Sequence, residues 1–167
     1  MTRKVVTAFL IALSLSIISS PAFAGDYRDA NDASGPLDMK RLKSSWQRVG
    51  GRTTYDFKIL MFKSWRPNVL DRLGSYILLH LDTRGDKQTD YFARFVRNGR
   101  EVAAELYKKR PRRFVADLSV AKLARGVVVL IPRGQLSQQK RISWQVVSSS
   151  GGISSRDQAP DRGWHRI

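Results

Sequence analysis

The sequence predicts an all-β protein, built as a single antiparallel β-sandwich of about eight strands. Three observations favour this class. Short apolar segments alternate with turn signals, apolar residues within them recur at every second position, and no long segment has a helical period. Asn98-Gly99, between two of these segments, is typical of a two-residue hairpin turn.

Eight segments have the length and alternation of strands. Residues 127–131 are apolar on both faces, which predicts a covered, central strand. In the segment before it, Phe114 and Leu118 fall on the face that is expected to point inward. The predicted strands are 37–46, 53–62, 75–81, the two arms of the hairpin at Asn98-Gly99, 114–120, 127–131 and 141–148.

The hairpin fixes a predicted register. With Asn98-Gly99 as its two turn residues, Phe95 lies opposite Val102, and both are apolar. On the other face the same register sets Phe92 opposite Glu105.

The first 24 residues have the pattern of a secretory signal peptide. A basic start at Arg3 and Lys4 precedes an apolar run over 5–18, and Ala22-Phe23-Ala24 supplies small residues for cleavage after Ala24. We therefore expect a secreted, extracytoplasmic protein.

Cleavage leaves residues 25–167, the length of one ordinary domain. Residues 25–36 are a polar, aspartate-rich segment, 37–148 the predicted sandwich, and 149–167 a Ser/Gly/Pro-rich tail. After the signal no apolar run approaches the roughly 20 residues of a membrane helix, so the mature chain is expected to lack a transmembrane segment.

The net charge and the cysteine content limit the partners and the reactions that the protein can have. The formal net charge is +16, and loss of Arg3 and Lys4 reduces it to +14, which favours anionic partners. No nucleic-acid-binding motif is present, so an anionic polymer or glycan of the cell envelope is the expected partner. The absence of cysteine excludes disulfides and thiol catalysis.

Two aspartate-rich stretches are candidate calcium ligands, because Ca²⁺ prefers six to eight carboxylate and carbonyl oxygens. If the two loops meet at one end of the sandwich, they form one ion site. The alternative is that these aspartates cap turns through their own backbone. The candidate ligands are Asp29, Asp32, Asp38, Asp82 and Asp86.

A dense basic run and a loop tryptophan are candidate ligand contacts. Arginine forks bind carboxylate or phosphate groups bidentately, and an exposed indole stacks on sugar rings. The alternative for the basic run is a solvated turn that protects a sheet edge, and the alternative for Trp65 is a plug that seals an end of the sandwich. Trp46 and Trp144, which lie in strands, are expected to be core or half-buried. The candidate contacts are Trp65, Arg66, Lys108, Lys109, Arg110, Arg112 and Arg113.

Catalysis finds little support in the sequence. There is no G-x-S-x-G nucleophile elbow, so a secreted hydrolase is only a weak alternative. His80, with Met61 as a distant second ligand, is the candidate for a haem- or metal-binding redox domain. A non-enzymatic role is therefore expected.

Three short motifs carry a resemblance to known proteins. They are Asp29-x-x-Asp32-x-x-Gly35-Pro36-Leu37-Asp38, Leu81-Asp82-Thr83-x-Gly85-Asp86 and Ala159-Pro160-Asp161-Arg162-Gly163-Trp164. Together they resemble small secreted actinobacterial proteins of unassigned function and, more distantly, β-sandwich domains of the DOMON and family-9 carbohydrate-binding-module type. The resemblance implies a sandwich, often with bound calcium, that binds sugars or haem. The expectation is a non-catalytic module for an anionic or carbohydrate polymer.

Overall fold

Eleven strands carry most of the regular structure in the residues that the computed structural model describes, which are 22–137, 142–152 and 155–167. Two short 3-10 helices, Pro67–Asp71 and Arg133–Gln135, interrupt them. None of the described helical segments has the length and hydropathy needed to cross a bilayer. The strands are β1 (Ala22–Arg28), β2 (Met39–Val49), β3 (Arg52–Met61), β4 (Ser75–Asp82), β5 (Tyr91–Asn98), β6 (Glu101–Lys108), β7 (Arg113–Leu123), β8 (Gly126–Pro132), β9 (Ser143–Ser150), β10 (Asp157–Ala159) and β11 (His165–Arg166).

All strand pairs are antiparallel and form one continuous sheet in the order β1-β2-β3-β8-β7-β6-β5-β4-β9-β10, with β11 also paired to β9. The long strand β7 joins the two halves, since its first part pairs with β6 and its second part with β8. At the other side β10 approaches β2, and β11 approaches β1. The sheet is therefore a nearly closed barrel.

The all-β, antiparallel class that the sequence predicts is confirmed. The sandwich and the count of eight strands are not, because the strands curl into one sheet. Strands β2 to β9 correspond to the eight predicted strands. The other three come from the chain ends, where β10 and β11 lie in the segment assigned to a tail.

Strand β1 overlaps the end of the predicted signal peptide. It begins at Ala22, and cleavage after Ala24 would leave its residues 25–28 paired with β2. Residues 1–21 and Arg141 lie outside the described residues. The signal peptide and its cleavage site remain predictions.

The core fills the barrel interior with alternate residues of each strand. Ile77, Leu79 and Leu81 of β4 are fully buried, while Tyr76, Leu78 and His80 are partly exposed. Trp144 packs edge-on against Phe57 with ring centroids 5.9 Å apart. Residues 127–131 lie between β3 and β7, as predicted for a central strand, but Val128 and Leu130 are partly exposed, so the strand is not covered on both faces.

The register of the central hairpin differs from the prediction by two residues. Asn98 pairs with Glu101, so the turn residues are Gly99 and Arg100, and Gly99 takes the positive φ of 60°. Glycine at the first turn position is the preference of a type II′ turn, whereas the predicted type I′ turn needs positive φ at both positions. A shift of two keeps every side chain on its face but changes its partner: Phe92 lies opposite Tyr107, not Glu105.

Candidate functional site

Residues 108–113, here called the basic turn, connect β6 to β7. Lys108 is partly buried, and residues 109–113 are exposed. Within the residues that the structure describes, no ion pair engages a cation of this turn. Its positive charges are therefore available to an anion from solvent.

A row of four ring side chains lies beside the basic turn, one from each of the strands β4 to β7. The register sets His80 opposite Phe92, Phe92 opposite Tyr107, and Tyr107 opposite Phe114. The successive ring centroids are 6.5, 5.3 and 5.8 Å apart. We call these four residues the aromatic row.

The aromatic row faces outward. Leu79, Ala93 and Leu106, which precede or follow its members along the strands, are buried in the barrel. Because side chains alternate between the two faces of a sheet, the row lies on the outer surface.

Phe114 reaches this surface through an irregularity in β7. Leu106 pairs with Ala116 but Tyr107 pairs with Phe114, which leaves Val115 as an extra residue in the ladder. An extra residue reverses the alternation that simple periodicity predicts. Phe114 is therefore 52% exposed instead of pointing inward.

Arg112 connects the basic turn to the aromatic row. Its guanidinium carbon lies 5.8 Å from the ring centroid of Phe92 and 5.9 Å from that of Tyr107, within cation–π range. A shallow depression of about 570 Å³ lies in front of these rings. It is lined by Tyr76, Leu78, His80, Phe92, Arg94, Lys109 and Arg112.

Trp65 is buried like a plug and does not face a ligand, while Trp46 is about half exposed. Trp65 is only 6% exposed, and the Lys122 ammonium lies 4.3 Å from its ring centroid, so its indole is not an open stacking platform. Trp46 is 48% exposed, whereas Trp144 is buried as expected. The loop after β3 folds Trp65 onto the barrel, which strand periodicity does not reveal.

Arg66 is exposed but lies away from the basic turn. It precedes the 3-10 helix Pro67–Asp71, and Asp71 forms an ion pair with Arg97 near the Gly99 turn. The basic turn is at the opposite end of β6, about 25 Å away for a strand of this length. The structure does not bring the Trp65–Arg66 pair and the basic turn together.

His80 is not paired with Met61. Met61 is fully buried inside the barrel, whereas His80 lies on the outer face and its Nδ1 is 3.3 Å from the Thr89 hydroxyl. Burial, helped by the charge of Lys109, lowers the pKa of His80 to about 4. The imidazole is therefore neutral at physiological pH.

The second aspartate stretch forms a loop that satisfies its own carboxylates. Asp82 is fully buried, yet its two oxygens accept the backbone N–H groups of Arg84, Gly85 and Lys87 at 2.6–2.9 Å. This is the turn-capping role left open as the alternative in the sequence.

The exposed Asp86 of this loop is also paired. Arg84 contacts Asp86 at 3.3 Å, and its Nε donates to Asp90 at 2.6 Å. Asp90 accepts the backbone N–H of Thr83 as well. The acidic side chains of this loop are therefore paired with arginine and backbone N–H groups of the same loop.

The first aspartate stretch lies in a different setting, at the seam where β10 closes against β2. Asp29 follows β1, Asp38 precedes β2, and Asp157 begins β10. They are 8%, 1% and 4% exposed, and we call them the seam aspartates. Asp157 accepts the backbone N–H of Met39 at 2.6 Å, but no oxygen of Asp29 or Asp38 has a hydrogen-bond partner.

Burial and mutual repulsion dominate the electrostatics of the seam. Burial, followed by the charges of Asp157, Asp161 and Asp32, raises the pKa of Asp29 to about 8. Burial also raises the pKa of Asp157 to about 6, although the Met39 and Gln158 amides oppose the rise.

Asp38 follows the same pattern. Burial and then Asp32 raise its pKa, partly offset by the Ala33 amide and by Lys63. Neither the Ala33 amide nor the corresponding Ala30 amide beside Asp29 makes a hydrogen bond of normal geometry.

The two aspartate groups lie at opposite ends of the barrel. Along β9, Ser148 pairs with Asp157 and with Ile77 near the start of β4, while Ser143 pairs with Asp82 at its end. The loops therefore do not combine into one site. Among the described residues, no three acidic or histidine side chains are already gathered as ligands of one metal.

No known protein family, curated protein sequence or solved structure matches this chain. The resemblance to secreted sandwich domains therefore remains an expectation from short motifs, and a function must be argued from the site itself.

Sequence reasoning missed two features of these sites. The stacked pair Phe92 and Tyr107 was hidden by the two-residue register error, although a turn centred on Gly99 would have revealed it. No local sequence pattern identifies Asp157, because Met39, whose amide it accepts, lies 118 residues away in the sequence.

Proposed function

We propose that this protein is an exported, non-catalytic binding module that holds an acidic polysaccharide against the aromatic row and the basic turn. One observation carries the proposal: Arg112 lies over the rings of Phe92 and Tyr107, beside a turn whose cations have no ion-pair partner in the described part of the chain. The proposed location is the cell envelope or its surroundings.

The chemistry of the surface matches that of the ligand. Sugar rings present C–H faces that pack on aromatic rings, and carboxylates accept paired hydrogen bonds from guanidinium groups. The 52% exposed Phe114 offers a ring to solvent, and the exposed cations of the basic turn are next to it. The formal net charge, +16 for the whole chain and +14 without Arg3 and Lys4, attracts a polyanion over longer distances.

A redox role with His80 as ligand has less support. Its neutral imidazole suits a metal, but Met61 points into the core and supplies no second ligand. We therefore keep polymer binding as the proposed function.

The test is binding to polygalacturonate, an acidic probe, and to dextran, a neutral one, by retardation in affinity gels and by calorimetry. We expect polygalacturonate to bind and its affinity to fall at least about tenfold between about 50 mM and about 500 mM salt, because salt screens exposed charges. Binding that is insensitive to salt, or equal for both polymers, contradicts the charge-based proposal.

A pair of charge-matched variants locates the site. The first replaces by serine the five cations Lys108, Lys109, Arg110, Arg112 and Arg113. The second makes the same change at five exposed arginines elsewhere, Arg28, Arg48, Arg52, Arg125 and Arg156. Loss of binding in the first only supports the proposed site, and equal loss in both indicates non-specific attraction.

A pair of aromatic variants tests stacking. Phe114→Ser removes an exposed ring from the proposed site, and Trp46→Ser removes one from β2. We expect only Phe114→Ser to weaken polygalacturonate binding, by about five- to tenfold. An unchanged affinity removes stacking from the proposal.

A further inference from the structure

The basic turn contributes cations to two depressions of the protein surface that share no lining residue. Lys109 and Arg112 line the depression of about 570 Å³ in front of the aromatic row. Lys108 and Arg110 line a second depression of about 490 Å³, which lies against the loop over 83–90 and is here called the loop-side depression. The charges of one turn are thus divided between two concave surfaces.

The loop-side depression has polar walls. Gln88, Thr89, Tyr91 and Ser137 are among the residues that line it. The Tyr91 hydroxyl accepts the backbone N–H of Ser137 at 3.2 Å, and the Thr89 hydroxyl lies 3.3 Å from Nδ1 of His80. Hydroxyl and amide side chains both donate and accept hydrogen bonds, so these walls suit the hydroxyl groups of a sugar.

The lining of the loop-side depression is positive in spite of two acids. It carries three cations, Arg84, Lys108 and Arg110, and the acids Asp86 and Asp90. Arg84 contacts Asp86 at 3.3 Å, and its Nε donates to Asp90 at 2.6 Å. Lys108 and Arg110 have no ion-pair partner in the described ranges, so they are the cations that an anion can engage.

Backbone hydrogen bonds fix the basic turn relative to both depressions. The N–H of Lys109 donates to the carbonyl of Asp90 at 2.7 Å, which fastens the turn to the loop over 83–90. Lys108 pairs with Tyr91 of β5 and with Arg113 of β7. The two depressions therefore keep their relative position, and a ligand that reaches both does not have to order the turn.

We infer that the two depressions are two subsites for one chain of an acidic polysaccharide, so that the ligand is an oligomer of acidic sugars and not a single sugar. The inference rests on the proposed polymer-binding function and adds a second subsite to it. In the first subsite a sugar ring packs on Phe92, with its carboxylate near Lys109 and Arg112. In the loop-side subsite the carboxylate of another unit lies near Lys108 and Arg110.

Two linked subsites make the affinity depend steeply on the length of the ligand. Once one unit is bound, binding of the second is intramolecular and takes place at a high effective concentration. A single subsite gives only a rise in proportion to the number of units, because each unit of a longer chain is one more equivalent ligand.

The experiment is calorimetry of the purified protein with galacturonate and with its linear hexamer, in about 50 mM salt. We expect the association constant to rise at least about a hundredfold from the monomer to the hexamer, because the second contact is intramolecular. A rise of about sixfold, which the number of units alone produces, overturns the inference.

Two charge-matched double variants assign the subsites. Lys108→Ser with Arg110→Ser removes the loop-side cations, and Lys109→Ser with Arg112→Ser removes those at the aromatic row. We expect the ratio of hexamer to monomer affinity to fall below about tenfold in both variants, since each leaves one subsite. A ratio that stays near a hundredfold in the loop-side variant overturns the assignment of the second subsite.

Two further variants control for charge and for folding. Arg48→Ser with Arg125→Ser removes two exposed cations elsewhere, and it should keep the steep dependence on length. Arg110→Ser alone changes a fully exposed position, so it covers the case in which loss of the partly buried Lys108 prevents folding. We expect Arg110→Ser to lower the ratio at least about threefold; an unchanged ratio contradicts a contact at Arg110.

The same titrations separate this inference from the proposed function. If polygalacturonate and the hexamer do not bind, both are wrong. If they bind in a salt-dependent manner but the affinity rises only in proportion to length, polymer binding stands and the second subsite is wrong.

Discussion

The loop over 83–90 and the barrel seam contain the same residue type in opposite electrostatic conditions. Asp82 is buried in a cradle of three backbone N–H groups. Asp29 and Asp38 are nearly as buried, but they have no hydrogen-bond donor. In the sequence both stretches are aspartates near a glycine, and both satisfy the composition of a calcium loop.

The difference shows what decides whether an aspartate is a ligand candidate. A carboxylate that already accepts several amide hydrogen bonds contributes to local structure and has little capacity left for an ion. A buried carboxylate without donors instead takes up a proton more readily, as the raised pKa of Asp29 shows.

The largest expected effect on stability comes from replacing Asp82, whose carboxylate accepts three amide hydrogen bonds. Asp82→Ala removes the acceptor of three amides and should destabilise the protein by about 3 kcal/mol, since hydrogen bonds to a buried charge are strong. Urea unfolding measures the loss. A change below about 1 kcal/mol would show that the amides find water instead, and the cradle would then not be a stabilising element.

The pH dependence of the free energy of unfolding tests the other member of the comparison, the buried Asp29 that has no hydrogen-bond donor. Asp29 has a folded pKa of about 8, above the roughly 3.9 of an unfolded chain, so the folded state binds the additional proton in this interval. In EDTA, the free energy of unfolding should therefore rise by on the order of 2–3 kcal/mol as pH falls from about 8 to about 4.

Asp29→Asn is the control for this pH effect. It removes the titrating group, so its unfolding free energy should depend less on pH over the same range. Parallel pH profiles for the two proteins would show that Asp29 does not carry the effect.

The smallest expected effect belongs to Asp86. Its carboxylate is exposed and is paired with Arg84 on the surface, so Asp86→Ala should change the free energy of unfolding by less than about 0.5 kcal/mol. Differential scanning calorimetry beside Asp82→Ala tests this. A loss as large as that of Asp82→Ala would mean that the loop acts as one unit.

The alternation of apolar and polar residues predicts most of the strands, but it predicts few of the contacts at the candidate site. Alternation located the strands β2 to β9, because each buries one face. It did not reveal closure into a barrel, which depends on short strands at the chain ends with weak patterns of their own. Nor did it predict the outward position of Phe114, since an extra residue in β7 reverses the alternation.

The seam could be predicted only in part for a related reason. The spacing of Asp29 and Asp38 identifies both as candidates, but Asp157 comes from a distant part of the chain that no local rule connects to them. Asp82 and Asp86 match the composition rule equally well, but they lie at the other end of the barrel. Which acids face each other is a property of the completed barrel.

The pairing of the chain ends has a kinetic consequence. Tyr27 near the beginning bonds to Asp161 near the end, 134 residues later. Contacts of such long sequence separation make folding slow, because a large loop must close before they form. A chain that emerges from its amino end cannot close this barrel until β10 and β11 are free, and until then β1 presents an open edge to any chaperone that holds it.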